Sequence, residues 1–288
     1  YKNKALVLKM NEYGDYESLS KQIQIASLIE DKISSVTFIK FKNSSFILEF
    51  DQNIFTLQKF INGRFNNGTL KDYDRTIKCL RSYYKKYCDI SSRLEEIELD
   101  AIKFDRDERY FFNTLSKLKP RQVEENAIKE RCLLERKSIL KAVKSIDLEK
   151  LTFVPCHIDL HPHNIILSEP NKSNIIDLDS FKIFSIEISM SFAFFKNFRN
   201  LVSQANLSKS DMKYYLNTGV TDLFGNHYCT DKILSLALVE YIRRANNVLH
   251  ELDRFGFSKW YGNLFVQLIG ILEILCCLEH PKESFDEY

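Results

Sequence analysis

Over the first sixty residues apolar and polar positions change in short runs, the signature of strands with one helix among them. Ala5 to Met10 (ALVLKM) predicts a strand. Residues 16–31 predict a helix, with Leu19, Ile23, Ala26 and Leu28 or Ile29 on one face. Val36 to Lys40 and Phe46 to Phe50 predict a hairpin about Asn43-Ser44-Ser45, and Ile54 to Ile61 a further strand running into Asn62-Gly63. From Leu70 the spacing moves to three- and four-residue steps: Ile77, Leu80, Tyr83-Tyr84 and Tyr87 predict a helix over 70–90. Ser91 to Asp100 is charged and reads as another helix or a loop. Phe104 to Leu118 and Arg121 to Ile146 read as helices, the second opening just after Pro120.

The pattern turns β-like once more at 152–180, TFVPCHIDLHPHNIILSEPNKSNIIDLDS. Thr152 to Cys156 is apolar and β-prone, and a loop rich in His, Asp and Asn follows. Asn164 to Leu167 and Asn174 to Ile176 read as two short strands about a turn at 168–173 that holds Pro170 and Asn171. Such a hairpin returns Asp177 to the loop that carries Asp159 and Asn164. Helices are expected again over 186–198, 208–218, 231–252 and 259–278, with Gly219, Gly225 and Gly256 in the breaks. The tail, Pro281 to Tyr288, is expected to fray.

Composition narrows the classes. A chain of 288 residues with 44% hydrophobic content can build one large or two modest cores. The 41 basic residues nearly balance the 39 acidic ones, which gives no global bias toward nucleic acid. No stretch reaches eighteen uninterrupted apolar residues, so neither a membrane span nor a signal peptide is expected. Seven scattered cysteines without C-x-x-C predict reduced thiols in a cytoplasmic protein.

The candidate chemistry sits in 157–179. His157, Asp159 and Asn164 form H-x-D-x(4)-N, and Asp177 ends an I-I-D thirteen residues after Asn164. A rival reading takes His157, Asp159, His161 and His163 as a zinc cluster for hydrolysis. Pro162 breaks its alternation, and it leaves Asn164 and Asp177 unexplained.

HIDLHPHN followed by IIDLDS resembles the aminoglycoside phosphotransferase and choline kinase family, the small-molecule branch of the protein-kinase-like fold. The resemblance implies an α+β, two-lobed architecture: a small antiparallel-sheet N-lobe over 1–62 and a large, mainly helical C-lobe over 63–288. It implies ATP (or GTP) and Mg²⁺ as cofactors and a small hydroxyl-bearing acceptor such as an aminoglycoside, amino alcohol or sugar. Asp159 would take the acceptor's proton as an unpaired carboxylate, His157 would brace the loop, and Asn164 and Asp177 would hold the metal. Lys9 would meet the phosphates. Gln22, or Glu17 a turn earlier, occupies the place of the glutamate that pairs with that lysine. Backbone groups near Phe60 and Ile61 would meet the base, and Glu187 would steady the catalytic loop.

The chain departs from the family pattern in three places. Ile158 and His163 replace two glycines, so the loop must pass Ile158 with a negative φ. No glycine precedes Lys9, since the first is Gly14, and the resemblance puts a glycine-rich loop upstream of that strand. Asp179 has an undecided role, as a second metal contact or only a neighbour. A degenerate kinase that binds nucleotide without turnover is the alternative. Tyr228, Tyr241 and Trp260 read as aromatic core before they read as an acceptor platform, and Glu279, Glu283, Asp286 and Glu287 as a solvated chain end before an acidic cleft.

Overall fold

A computed structural model describes residues 5–12, 16–102, 108–169 and 172–279. The turn residues Pro170 and Asn171 and the tail 281–288 lie outside them, and so does the Glu279 side chain. The chain forms two compact units. The first takes 1–102, 153–186 and 196–205, and the second takes 103–152, 187–195 and 206–288.

The first unit opens with strand β1 (Leu6–Glu12), helix α1 (Tyr16–Ile29) and strands β2 (Phe38–Ile39), β3 (Ile47–Phe50) and β4 (Asn53–Lys59). β4 is central. It pairs antiparallel with all of β1, from Leu6 opposite Lys59 to Glu12 opposite Asn53. On its other edge β2 and β3 lie end to end, with Phe38 opposite Gln58 and Ile47 opposite Thr56. The expected β2–β3 hairpin is therefore corrected to a β3–β4 hairpin. Asp51 and Gln52 make its turn at φ 48° and 59°, the left-handed pair that a two-residue hairpin twisting with its strands requires. α1 places Leu19 against Ile47 and Ile54 of the sheet, with Ile23 beside them.

Two predicted helices are each broken once. The helix expected over 70–90 is α2 (Leu70–Lys85) followed by α3 (Tyr87–Leu94). Lys86 leaves helical geometry between them (φ −105°, ψ 3°), and its Nζ donates to the Lys32 carbonyl at 2.7 Å. In the second unit, the helix expected over 121–146 is α5 (Val123–Leu134) and α6 (Arg136–Lys144), separated at Glu135, after α4 (Glu108–Lys117).

Strands β5 (Phe153–His157), β6 (Ile165–Ser168) and β7 (Lys172–Ile175) follow, the last two forming the expected hairpin with Ile165 opposite Ile175. A strand not foreseen, β8 (Phe181–Ser185), pairs antiparallel with β5 from Phe153–Ser185 to His157–Phe181. Helix α7 runs over Ile186–Gln204, longer than the predicted 186–198. The last three helices are α8 (Lys209–Phe224), α9 (Thr230–Phe255) and α10 (Tyr261–Glu279). Gly225 and Gly256 cap α8 and α9 with φ of 84° and 73°, where a residue without Cβ is unstrained. Gly219, expected in a break, lies buried inside α8.

The core of the second unit is built on α9, which packs against α4, α6, α8 and α10. Residues 261–278 of α10 are long and apolar enough to cross a membrane, and more than half of that window is buried inside the protein. Tyr241 is buried there with its ring edge-on to Phe192, whereas Trp260 is 48% exposed. All seven cysteines are free thiols.

Candidate active site

The site grows from the polar loop between β5 and β6. His157, at the end of β5, has no exposed surface. Its backbone N–H donates to the Tyr83 hydroxyl at 2.8 Å. Its ring lies between two backbone groups: Nδ1 accepts from the Asp159 N–H at 3.2 Å, and Nε2 is 3.1 Å from the Ile176 carbonyl. A neutral ring protonated on Nε2 satisfies both. His157 thus ties the loop to the segment after β7 and does not reach a ligand. The next residue, Ile158, donates its N–H to Ser180 O at 3.0 Å and is not among the positive-φ residues.

Asn164 closes the loop. Its Nδ2 donates to the Asp159 carbonyl at 2.9 Å and to Asp177 Oδ2 at 3.2 Å. Asp177 sits in the left-handed region at φ 67°, ψ 52°, an uncommon place for a residue with a side chain and one often found at functional sites. Ser180 Oγ donates to the same Asp177 oxygen at 3.2 Å.

The expectation of an unpaired Asp159 is corrected. Its Oδ2 is 3.7 Å from His161 Nε2, and its Oδ1 is 4.0 Å from Lys196 Nζ. Lys196 comes from α7, where the following residue, Asn197, donates to the Leu160 carbonyl at 3.2 Å. Glu187, expected to steady this loop, accepts from the Thr152 N–H at 3.0 Å. The loop carbonyl is taken by Asn197.

One open pocket of about 290 Å³ gathers six of the predicted site residues: Lys9, Gln22, Phe60, Ile61, Asn164 and Asp177. Gln22, not Glu17, is the residue of α1 that lines it. Glu17 pairs with Lys21 at 2.8 Å, and Gln22 Nε2 contacts Ser18 Oγ at 3.4 Å. The Phe60 N–H donates to Ala5 O at 3.1 Å, so that donor, expected to meet a base, is already used within the protein.

Asp179 stands just beyond Asp177 and is still reached by solvent. Its carboxyl is pushed up to about 6, first by loss of water around it, then by a hydrogen bond to Asp177 and repulsion from that charge, with Lys9 pulling the other way. Asp179 is thus one carboxylate close enough to Lys9 to feel its charge.

The zinc reading finds no support in this geometry. His157 is turned into the protein, and the His161 and His163 rings stand at 89° to each other. No group of three or more metal-ligating side chains converges among the described residues. The oxygens of Asn164 and Asp177 do fit a hard cation such as Mg²⁺: both residues line the pocket, and the Asp179 carboxyl lies within hydrogen-bond reach of Asp177 beside it.

The sheet, the buried hairpin and the helical remainder make up the α+β protein-kinase-like fold in the form seen in small-molecule kinases. Solved structures show it. An aminoglycoside phosphotransferase from Alicyclobacillus acidocaldarius is similar over 96% of this chain and 86% of its own, with TM-score 0.58 and 12% identity. The AMP-bound complex of a spectinomycin phosphotransferase is similar over 97% and 89%, with TM-score 0.57 and 14% identity. A choline kinase from Streptococcus pneumoniae is similar over 94% and 87%, with TM-score 0.53 and 13% identity. No sequence-family profile matches the chain, and no curated protein matches it by sequence.

Proposed function

We propose that this chain is a nucleotide- and Mg²⁺-dependent phosphotransferase that phosphorylates a hydroxyl of a small molecule: an aminoglycoside, an amino alcohol or a sugar. The supporting observation is the single pocket that holds Lys9, Asn164 and Asp177, with Asp159 one hydrogen bond from Asn164. Phosphoryl transfer asks a protein for positioning and for charges placed against the phosphates. ATP, or GTP, would lie with its base edge at Phe60 and Ile61 and its phosphates toward Lys9. Asn164 and Asp177 would hold Mg²⁺, which when bound would neutralise negative charge on the phosphates. Asp159 accepts the proton of the acceptor hydroxyl as it attacks, and Lys196 offsets the negative charge around it. His157 positions Asp159 through the loop backbone.

Nucleotide consumption with Mg²⁺, screened over amino sugars, amino alcohols and simple sugars, tests the reading. One acceptor should raise the rate in wild type and not in Asp159→Ala or Asp177→Ala. Equal background rates in all three proteins with every acceptor would sink it.

The second reading, a kinase-like protein that binds nucleotide without turnover, draws support from Gln22. Its neutral amide contacts Ser18 and cannot form the ion pair with Lys9. Nucleotide binding that needs Asp177, with no product on any acceptor, would favour it.

A further inference from the structure

The first unit carries another pocket, of about 470 Å³, which shares no lining residue with the candidate active site. Lys32, Arg75, Lys78, Lys86 and Lys172 line it, together with serine hydroxyls such as that of Ser173, and no acidic residue does. Five cations around one concavity stand out in a chain whose net charge is only +2. Like charges gathered at a low-dielectric wall repel one another and focus a positive potential into the space between them.

The counter-charges present leave that potential largely in place. Lys32 meets Asp89 at 3.5 Å. Arg75 meets Glu169 at 3.6 Å, but the Glu169 side chain is 83% exposed. Lys86 spends its Nζ on the Lys32 carbonyl. Lys78 and Lys172 form no ion pair among the described residues.

Arg75 is the fixed point. Its side chain is only 8% exposed. One terminal nitrogen donates to the carbonyls of Ser168 and Lys172, at 2.5 and 3.2 Å, and so clasps the β6–β7 hairpin. Its buried Nε has no hydrogen-bond partner among the described residues. A buried guanidinium N–H left unpaired is costly unless something meets it. Arginine forks and lysine ammonium groups are the side chains that recognise phosphate.

We propose that this pocket binds a small polyanion bearing two or more phosphate groups, held by Lys78, Lys172 and Arg75. The site needs no phosphotransferase activity, so the inference does not rest on that reading. The two pockets are nevertheless close along the chain: Ile175 lines this one and Ile176 the candidate active site.

The test is calorimetric titration of the full chain with inorganic pyrophosphate at constant ionic strength. The Lys78→Ala/Lys172→Ala double variant changes two exposed side chains, and an unchanged melting temperature will show that it folds. It should lose affinity by roughly tenfold or more, the loss expected of charged hydrogen bonds. Lys9→Ala and Asp177→Ala, which alter only the candidate active site, should keep the pyrophosphate binding that depends on Lys78 and Lys172. The proposal is overturned if those two variants lose pyrophosphate while the double variant keeps it, since the anion then occupies the active site. It is also overturned if wild type shows no saturable binding at millimolar pyrophosphate. Binding of a single-stranded oligonucleotide that needs Lys78 and Lys172, without pyrophosphate binding, would make the pocket part of a nucleic-acid surface and overturn it too.

Discussion

Asn164 Nδ2 lies 3.2 Å from Asp177 Oδ2, although they stand thirteen positions apart in the sequence. The β6–β7 hairpin makes this meeting possible, and the loop holds Asn164 ready for it by a second bond to the Asp159 carbonyl. An amide that spends both N–H groups on Asp159 and Asp177 turns its oxygen toward other partners. The pair therefore behaves as one oxygen-donor unit.

If that unit holds a cation, the loss on mutation will have a particular form. Asp177→Ala should lower turnover by about 10²-fold or more, the scale on which a positioned catalytic group acts, and should abolish the rise in melting temperature that Mg²⁺ gives wild type with nucleotide. Asp159→Ala should lose turnover on the same scale but keep the Mg²⁺-dependent rise. Kinetics and thermal shift on the three proteins separate the two roles, and equal thermal shifts in all of them would remove the metal from Asp177.

Asp179 makes a prediction about pH. Its carboxyl titrates near 6 in the folded protein against 3.8 as an ordinary carboxylate, so the folded state holds a proton that the unfolded chain has released. For an acid shifted upward, the stabilisation is complete below about 3.8 and fades as pH rises through about 6. Wild type should thus lose more thermal stability than Asp179→Asn between pH 4 and 6.5. The difference will be small because the side chain is open to solvent. Melting curves across that range check it, and parallel curves would place the titration elsewhere.

Much of this arrangement could be read from the chain, and the unread parts share a cause. Asn164 and Asp177 announced themselves through fixed spacing and flanking Ile-Ile runs. The turn of the β3–β4 hairpin hid because Asp51-Gln52 takes left-handed geometry without glycine. β8 hid because FKIFS runs directly into the apolar start of α7, with no turn residue between them. Lys196 and Asn197 could not be assigned at all. They lie in the middle of an apolar helix and reach Asp159 and Leu160 only through tertiary packing. The breaks at Lys86 and Glu135 carry no Gly or Pro; Lys86 spends its side chain on Lys32 O.

Gly63 should resist a side chain. A Cβ there would stand 2.7 Å from the Leu167 carbonyl and 2.6 Å from Ile166 Cγ2, and the Arg64–Leu167 bridge beside it (3.1 and 2.8 Å) keeps the two strips together. Backbone cannot turn aside as a flexible side chain can. Gly63→Ala should cost about 1–3 kcal/mol of stability, in the range of overpacked sites. It should also weaken nucleotide binding, since Ile61 and Ile166 line the same pocket. Urea denaturation and a nucleotide titration measure the two effects.

Tyr83 tests whether the loop that carries Asp159 is braced from beneath. Its hydroxyl accepts the His157 backbone N–H at 2.8 Å, and both groups are buried. Tyr83→Phe removes the acceptor and nearly nothing else, so the N–H is left in an apolar setting at a cost of about 1–3 kcal/mol. The same N–H begins the turn in which His157 Nδ1 receives Asp159 N–H. A loosened turn should therefore lower kcat more than it raises the KM for nucleotide, because Phe60 and Ile61 lie in the separate segment that follows β4. Denaturation with urea gives the first quantity and steady-state kinetics the second. A variant as stable as wild type, or one in which only the nucleotide KM changes, would show that the loop takes its shape from Asn164 and Asn197 without help from Tyr83.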